Sequence, residues 1–428
     1  MPPHTPGRIR VPYNYAFSSS YIGGLMKRTI LLVICVITGL TACVDSRAER
    51  YGFATVLGRD TVAVERIVRS PRSLVSDEVD QWPAVRVRHT EFAFGPDGRI
   101  VHMEMTVRTP NATTAARRFR RVTADYTADS VRVSVRDSSA VRDTAFQTGG
   151  AITVPHVSMM YGVIELEMAT AIARGAAAHL APGDSVPFRQ FYPDRDVGPA
   201  FALHSGWVHP LPGGKVELWH DWLSGIGDAT VDSAGRMLTY SGQRSTYKVE
   251  VKRVTPPPDV EAIGAALTAK EKAAGGIKEV SVRDTARGTI GAASFSVDYG
   301  RPRARGRELL GNVIEYEDIW RTGANAATQF TTSKPITLAG LVLPAGMYTL
   351  WSVPHKNGSA DLIVNKETGQ WGTDYDRSYN LGTAALHVET VKAPLDEFTI
   401  SISGADARHG TLAFEWGTFR WTAPIIVR

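Results

Sequence analysis

Residues 84–107 read AVRVRHTEFAF, then GPDG, then RIVHMEMTV. Val85 and Val87, then Phe92 and Phe94, alternate with polar neighbours. After Gly95-Pro96-Asp97-Gly98 the chain returns through Ile100, Met103, Met105 and Val107. A period of two on both sides of a Gly/Pro/Asp turn describes an antiparallel hairpin with one buried face. The same signature extends outward in both directions. Residues 61–69 (TVAVERIVR) are β-branched, and Val131, Val133 and Val135 alternate. Pro212-Gly213-Gly214 and Ser233-Ala234-Gly235 are tight turns between extended runs such as 216–219 and 246–254. One stretch breaks the pattern. Met160, Val163, Ile164, Met168, Ile172 and Ala176 recur at helical spacing, which predicts a helix over about 158–180. Residues 51–254 therefore read as a curved antiparallel sheet of about ten strands with one long helix packed on it.

The triple proline at 256–258 cannot donate backbone hydrogen bonds and ends that sheet. Residues 259–274 follow as an Ala/Lys/Glu helix with Asp259 as N-cap, closed by Gly275-Gly276. Residues 255–285 are thus read as a Pro-rich linker with a short helix, and as the domain boundary. From 286 to 428 every apolar pattern is that of short strands. Phe398, Ile400 and Ile402 alternate, Leu412, Phe414 and Trp416 do so again, and Pro344-Ala345-Gly346 opens a strand through Tyr348, Leu350 and Val353. Eight or nine such strands predict a β-sandwich or jelly roll, so the fold class is mainly β.

The other end of the chain carries a secretion signal. Met26-Lys27-Arg28 supplies a start and a positive segment, and residues 29–40 (TILLVICVITGL) are uncharged and apolar. Twelve residues are too short to span a bilayer, which needs about 20. The run ends in Leu40-Thr41-Ala42-Cys43, a pattern resembling the bacterial lipobox, in which the cysteine thiol accepts diacylglycerol and becomes the mature N-terminus. The expectation is a non-native extension at 1–25, a lipoprotein signal peptide at 26–42, and a lipidated Cys43 with a polar tether over 43–50. Val44 stands where an Asp would retain a lipoprotein in the inner membrane of enteric bacteria, which points to the outer membrane. Acyl chains at one cysteine hold a domain on a membrane because each buried CH₂ contributes about 0.8 kcal/mol.

Composition excludes several classes. Of 428 residues, 43% are hydrophobic and 21% charged, as in a globular protein rather than a disordered chain. The net charge of +5 comes from the leader: without Arg8, Arg10, Lys27 and Arg28, 44 basic residues face 43 acidic ones, and nucleic acid is not an expected partner. Cys35 lies in the apolar run and Cys43 is the lipid acceptor, so no thiol chemistry is expected beyond the leader.

The C-terminal part carries four linked motifs: Tyr299-Gly300-Arg301-Pro302 with Arg305-Gly306-Arg307; Trp320-Arg321-Thr322-Gly323-Ala324-Asn325 with Thr328; Leu343-Pro344-Ala345-Gly346-Met347-Tyr348; and Asn365-Lys366 with Gln370-Trp371-Gly372. Together, over residues 292–427, they resemble a bacterial family, the domain of unknown function 2911. The resemblance implies a β-rich fold and an envelope location, and no activity. Ala326 replaces the acidic residue that follows Gly-Ala-Asn in that family, so no acid/base role belongs there.

Guanidinium, carboxamide and indole groups suit a neutral polar ligand such as a glycan. The candidate ligand-binding residues are Trp320, Arg321, Asn325, Thr328, Asn365, Gln370, Trp371 and Arg301; the competing reading is that they tie loops and fill the core. Arg301, Arg303, Arg305 and Arg307 form a basic stretch, read as a solvated loop before an anion site. His204, His209 and His220-Asp221 lie among Trp207, Trp219 and Trp222 without a metal-ligand spacing. Asp374-Tyr375-Asp376 starts like a calcium loop, but Tyr379 and Ala385 replace its Gly and Glu. Ser245-Thr246-Tyr247-Lys248 has the spacing of a Ser-x-x-Lys nucleophile on what reads as a strand, the wrong setting for it. No catalytic residue, cofactor or metal is expected. The expected function is a lipid-anchored envelope protein that binds a polar or glycan-like ligand or an envelope protein. The alternatives are a hydrolase of an envelope polymer using pairs among Glu317, Asp318, Asp374 and Asp376, or a carrier of an apolar ligand.

Overall fold

The computed structural model describes residues 48–428, apart from 178–183, 194–200, 222–224 and 278–279. The leader, Cys43, the tether before residue 48, the end of the predicted long helix and Trp222 lie outside the described residues.

The hairpin over 84–107 forms as read. β4 (Val85–Phe94) pairs with β5 (Ile100–Arg108), with Phe94 opposite Ile100. Its turn closes by hydrogen bonds from Gly95 N to Arg99 O (2.8 Å) and from Gly98 N to Gly95 O (3.0 Å). Around it stand β1 (Glu49–Leu57), β2 (Asp60–Arg69) and β3 (Ser73–Gln81), then the one-turn helix α1 (Ala115–Arg118), β6 (Phe119–Tyr126), β7 (Ser130–Asp137) and β8 (Val141–Gln147). A second series is β9 (Thr153–Pro155), β10 (Val186–Phe191), β11 (His204–Leu211), β12 (Lys215–His220), β13 (Ile226–Val231), β14 (Met237–Ser241) and β15 (Glu250–Val254). All belong to one sheet, ordered β8-β7-β6-β5-β4-β3-β2-β1-β15-β14-β13-β12-β11-β10-β9, antiparallel except for the β9–β10 pair. The count of about ten strands is corrected to 15. Ser245–Lys248 is a turn, not a strand: Ser245 Oγ donates to Gly242 O at 2.8 Å and Lys248 pairs with Glu315.

The sheet curls until its ends meet. Phe191 of β10 lies 5.7 Å from Phe146 of β8 and 6.2 Å from Tyr126 of β6, ring centre to ring centre. Inside the roll runs α2 (Tyr161–Ala177), the predicted long helix. Every residue from 161 to 168 is buried, because strands face this helix on all sides. Gly162 lets it lie against β2: a Cβ there would fall 2.7 Å from Glu65 Oε1 and from Ile67 Cδ1. The two buried acids of the helix have partners of different kinds. Glu165 accepts from the Tyr51 hydroxyl and from Met237 N (2.9 Å) and pairs with Arg69 (3.2 Å). Glu167 faces His156, 3.6 Å away.

After Val254 and the prolines comes α3 (Val260–Ala273), within the predicted limits. Asp259 caps it by accepting from Ala262 N at 2.9 Å, and Gly275 and Gly276 follow with φ of +86° and +101°. The helix packs on the outer face of the roll, where Val260, Ile263 and Leu267 meet Val64, Val79, Val85 and Val87.

The remaining strands form two sheets. One holds β16 (Val282–Ile290), β17 (Ala293–Arg301), β18 (Thr328–Thr332), β21 (Gly346–Pro354), β22 (Ala360–Asn365) and β23 (Asn380–Ala385), in that order. The other is β20 (Leu341–Leu343), β19 (Ile336–Leu338), β25 (His409–Val427) and β24 (His387–Gly404). Phe295, Phe330, Leu350 and Leu362 of the first share a core with Phe398, Phe414, Trp416 and Ile425 of the second, as in a sandwich. The protein is mainly β.

Candidate functional site

The first motif turn, residues 320–328, starts beside β21 and runs into β18. Trp320 N donates to Ser352 O (2.8 Å) and Ser352 N donates back to Trp320 O (2.9 Å), pinning its start. Two residues then take the left-handed conformation, Thr322 (φ +50°) and Asn325 (φ +63°). For β-branched Thr322 that conformation costs of order 1–3 kcal/mol, and it persists because Thr322 is clamped. Its Oγ1 bonds Ser352 Oγ at 3.0 Å, and its carbonyl accepts from Thr328 Oγ1 at 2.7 Å.

The second motif, 365–372, lies against this turn. Ala326 bridges to Trp371, Gly372 N donates to Asn325 O (3.0 Å), and Ala327 N donates to Gln370 O (3.2 Å). Gly372 has no room for a side chain: a Cβ would fall 2.0 Å from Arg321 Cδ and 2.4 Å from Asn325 O. Two motifs about forty residues apart in sequence thus form one surface.

The predicted ligand residues divide into two groups. Four serve the fold itself. Trp320 stacks on Trp416 at 5.9 Å and sets its edge against Phe398 and Trp421, so its indole faces the sandwich core. Thr328 is buried on Thr322 O. Asn365 is buried, donating to Asp376 O and Asn380 Oδ1 (both 2.9 Å) and accepting from Glu367 N (2.8 Å). Arg301 is paired with Asp284 (3.1 Å) and Glu397 (3.0 Å), and donates to Phe398 O (3.2 Å).

The other four meet at the junction. Arg321 is partly exposed, but its Nε is buried with no hydrogen-bond partner. Burial alone holds its guanidinium below the ordinary value, and no carboxylate offsets that. Gln370 Nε2 donates to Thr349 Oγ1 (3.2 Å), while its Oε1 is buried without a partner. Asn325 is exposed, and Trp371 exposes 54% of its surface. A cation without an acceptor, an amide oxygen without a donor and a free indole face are the groups needed to hold an oxygen-rich ring bearing a negative charge.

The remaining candidates have internal partners. Arg303 pairs with Asp396 (3.2 Å), Arg305 with Asp60, and Arg307 donates to the carbonyls of Ala304 (3.0 Å) and Arg303 (2.7 Å). Glu317 binds His355 Nδ1 (2.6 Å), whose Nε2 faces Asp361 (3.2 Å); these two carboxylates raise the imidazole above its ordinary value. Asp318 accepts from Ile319 N (2.8 Å), and Asp376 from Ser378 N (2.8 Å). His209 faces Glu217 (3.5 Å) and His204 pairs with Asp221 (2.9 Å). His220 turns inward, away from them, onto His156. Among the described residues no three His, Cys, Asp or Glu converge on a metal position. The inward cluster of His156, Glu167, Gln190 and His220 had one trace in sequence, the paired acids of Val163-Ile164-Glu165-Leu166-Glu167-Met168 in an apolar helix.

Comparison with known proteins adds little beyond the C-terminal part. No curated protein matches the chain. A solved structure of a DUF1089 family protein from Pseudomonas aeruginosa aligns with 11% identity and a TM-score of 0.31, covering 44% of this chain and 93% of that one. That likeness is too low to bear on fold or function. Residues 281–425 match the model of the family described as protein of unknown function DUF2911, so the C-terminal sandwich is a DUF2911 domain.

Proposed function

We propose that the protein is a lipid-anchored bacterial envelope protein, held through Cys43, whose sandwich domain is a non-catalytic binding module for an acidic, glycan-like ligand at Arg321, Asn325, Gln370 and Trp371. The observation that carries the binding half is the Arg321 guanidinium, fixed beneath Gly372 with its Nε buried and no acceptor, next to an exposed indole. A buried donor without a partner costs about 1–3 kcal/mol, and a ligand carboxylate or ring oxygen would recover it. The anchoring half rests on the lipobox-like Leu40-Thr41-Ala42-Cys43 and on the polar tether after it. The outer membrane is the favoured location because of Val44.

The test is binding of the purified protein to an array of acidic and neutral envelope glycans, including peptidoglycan fragments. Arg321→Gln and Trp371→Ala should each weaken the retained ligand at least tenfold. Trp371→Ala should leave the melting temperature unchanged, because that side chain is exposed. Retention of neutral and acidic glycans alike, or unaltered binding by both variants, would sink the binding half. Mass spectrometry of the membrane fraction tests the anchor: Cys43→Ala should move the protein out of that fraction and abolish the acyl adduct.

A further inference from the structure

The roll is closed without backbone pairing between its ends. β8 and β9 are the terminal strands of the sheet, and among the described residues no ladder joins them. What bridges the seam is a set of rings. Phe191 of β10 meets Tyr126, Phe146 and Phe201 at 5.7–6.2 Å, and Phe146 and Phe201 stand 4.6 Å apart.

Directly behind Phe191 lies the molecule's most unusual buried group. His156 N donates to Phe191 O at 2.9 Å, and Gln190 and Tyr192 flank Phe191 in sequence. His156, Glu167, Gln190 and His220 are each at most 4% exposed. His156 and His220 stand 4.5 Å apart, ring centre to ring centre. Both nitrogens of His220 are buried without hydrogen-bond partners, while Glu167 lies between His156 and Gln190. Glu167 approaches His156 at 3.6 Å and no carboxylate approaches His220. The other titratable groups facing the cluster are Tyr240 of β14, toward Glu167, and Tyr192, edge-on to His156 at 5.5 Å. The Tyr192 hydroxyl donates to Asp221, whose carboxylate is held in turn by His204 on the outer side.

Burial, and the His156 ring beside it, hold His220 well below the ordinary histidine value. Two charges 4.5 Å apart in a dry interior repel strongly, and neither His220 nitrogen has an anion to meet a proton. Once exposed to water, the His220 ring takes up a proton readily below the ordinary histidine value of about 6.5. The element nearest to letting it out is the β9–β10 edge, which carries Phe191 and, among the described residues, has no ladder to β8 beyond the short link 148–152 and these ring contacts.

We propose that the seam between β8 and β9–β10 is an acid-opened gate, with the buried His220, packed on His156, as its sensor. Opening takes up a proton on the newly exposed His220 ring, so the opening constant rises up to about tenfold for each pH unit below the ordinary histidine value of about 6.5, less any proton that the buried Glu167 carboxyl gives back.

Hydrogen exchange read by mass spectrometry on the full chain, corrected for the intrinsic rate, tests this between pH 7.5 and 5.5. Peptides covering 141–157 and 186–192 should lose several-fold of their protection at pH 5.5, while α3 and the sandwich keep theirs. In the double variant His156→Gln/His220→Leu the trend should flatten or reverse, since only the Glu167 proton remains. His220→Asn alone, checked for a native melting temperature at pH 7.5, serves if the double variant does not fold, and should remove about one proton from the slope. Equal seam protection at both pH values in the wild-type protein, or the same acid loss in the variants, would overturn the gate.

Discussion

Glu65 shows how a single side chain is held in the roll. It is 1% exposed; its Oε1 accepts from Ser76 Oγ at 2.6 Å and its Oε2 from Gly162 N at 2.8 Å, at the start of α2. Burial pushes its carboxyl up to about 7, against the downward pull of those hydrogen bonds. A raised folded-state value means that the fold keeps a proton the unfolded chain releases. Its contribution is full below about 4.5 and is lost as pH rises through 7. The difference amounts to about 3 kcal/mol at most. Glu65→Gln, neutral at every pH, should therefore lose less stability than the wild type between pH 4.5 and 7.5 in urea titrations; parallel curves would contradict the buried proton. At the same scale, the sequence marks the two motifs that pack together but not which of their side chains face outward. Arg321, Asn325, Gln370 and Trp371 do converge, because two motifs rich in Gly and Asn had to approach closely. Trp320, Thr328, Asn365 and Arg301 are the same residue types serving the core and its loops, and composition cannot tell an indole that meets Trp416 from one that meets a ligand.

Elements were legible where local chemistry decides them. The ends of α3 follow from Asp259 and Gly275-Gly276, and the 84–107 hairpin from its turn. Strands were undercounted where the inner face of the sheet is charged. Glu65, Glu78, Asp80 and Arg88 are all buried, so β3 (SLVSDEVDQ) offers no apolar alternation to read. Arg88 meets Glu78 at 2.8 Å and also Asp80, and this ion cluster takes the place of the missing apolar face. The packing of α3 was equally hidden, since it depends on valines two hundred residues away. Its weight is measurable. Glu271, 3% exposed, accepts from Val85 N and Asn111 Nδ2, both at 2.8 Å. Glu271→Ala leaves the Val85 amide buried and unpaired and should cost about 2 kcal/mol, against about 1 kcal/mol for losing the Asp259 cap. Equal losses in chemical denaturation would mean that α3 contributes as a helix and not through this anchor.

At the scale of the whole molecule, the roll and the sandwich keep separate cores. Among the described residues no hydrophobic cluster contains residues of both, α3 counting with the roll. Polar links between them among the described residues include Arg59 N to Arg305 O (2.9 Å), Arg59 with Asp396 (3.9 Å), Arg305 with Asp60, and Lys248 with Glu315 (2.9 Å). The Asp60 and Glu315 side chains are 43% and 52% exposed, so each pair contributes about 1 kcal/mol or less. That is small beside the roughly 5–15 kcal/mol that holds a domain together, and the two parts should unfold as separate cooperative units. Scanning calorimetry should resolve two transitions that respond to different agents. Acidification from pH 7.5 to 5.5 should move the roll transition, which buries Glu65 and His220, and move the sandwich transition far less. A glycan bound at Arg321 should raise the sandwich transition alone, by the mass-action stabilisation of the form that binds it. Arg305→Ala should move neither by more than about 2 °C. A single transition that shifts as one under both treatments would show that the Arg59–Arg305 contact couples the parts far more strongly than its exposed ion pairs can explain.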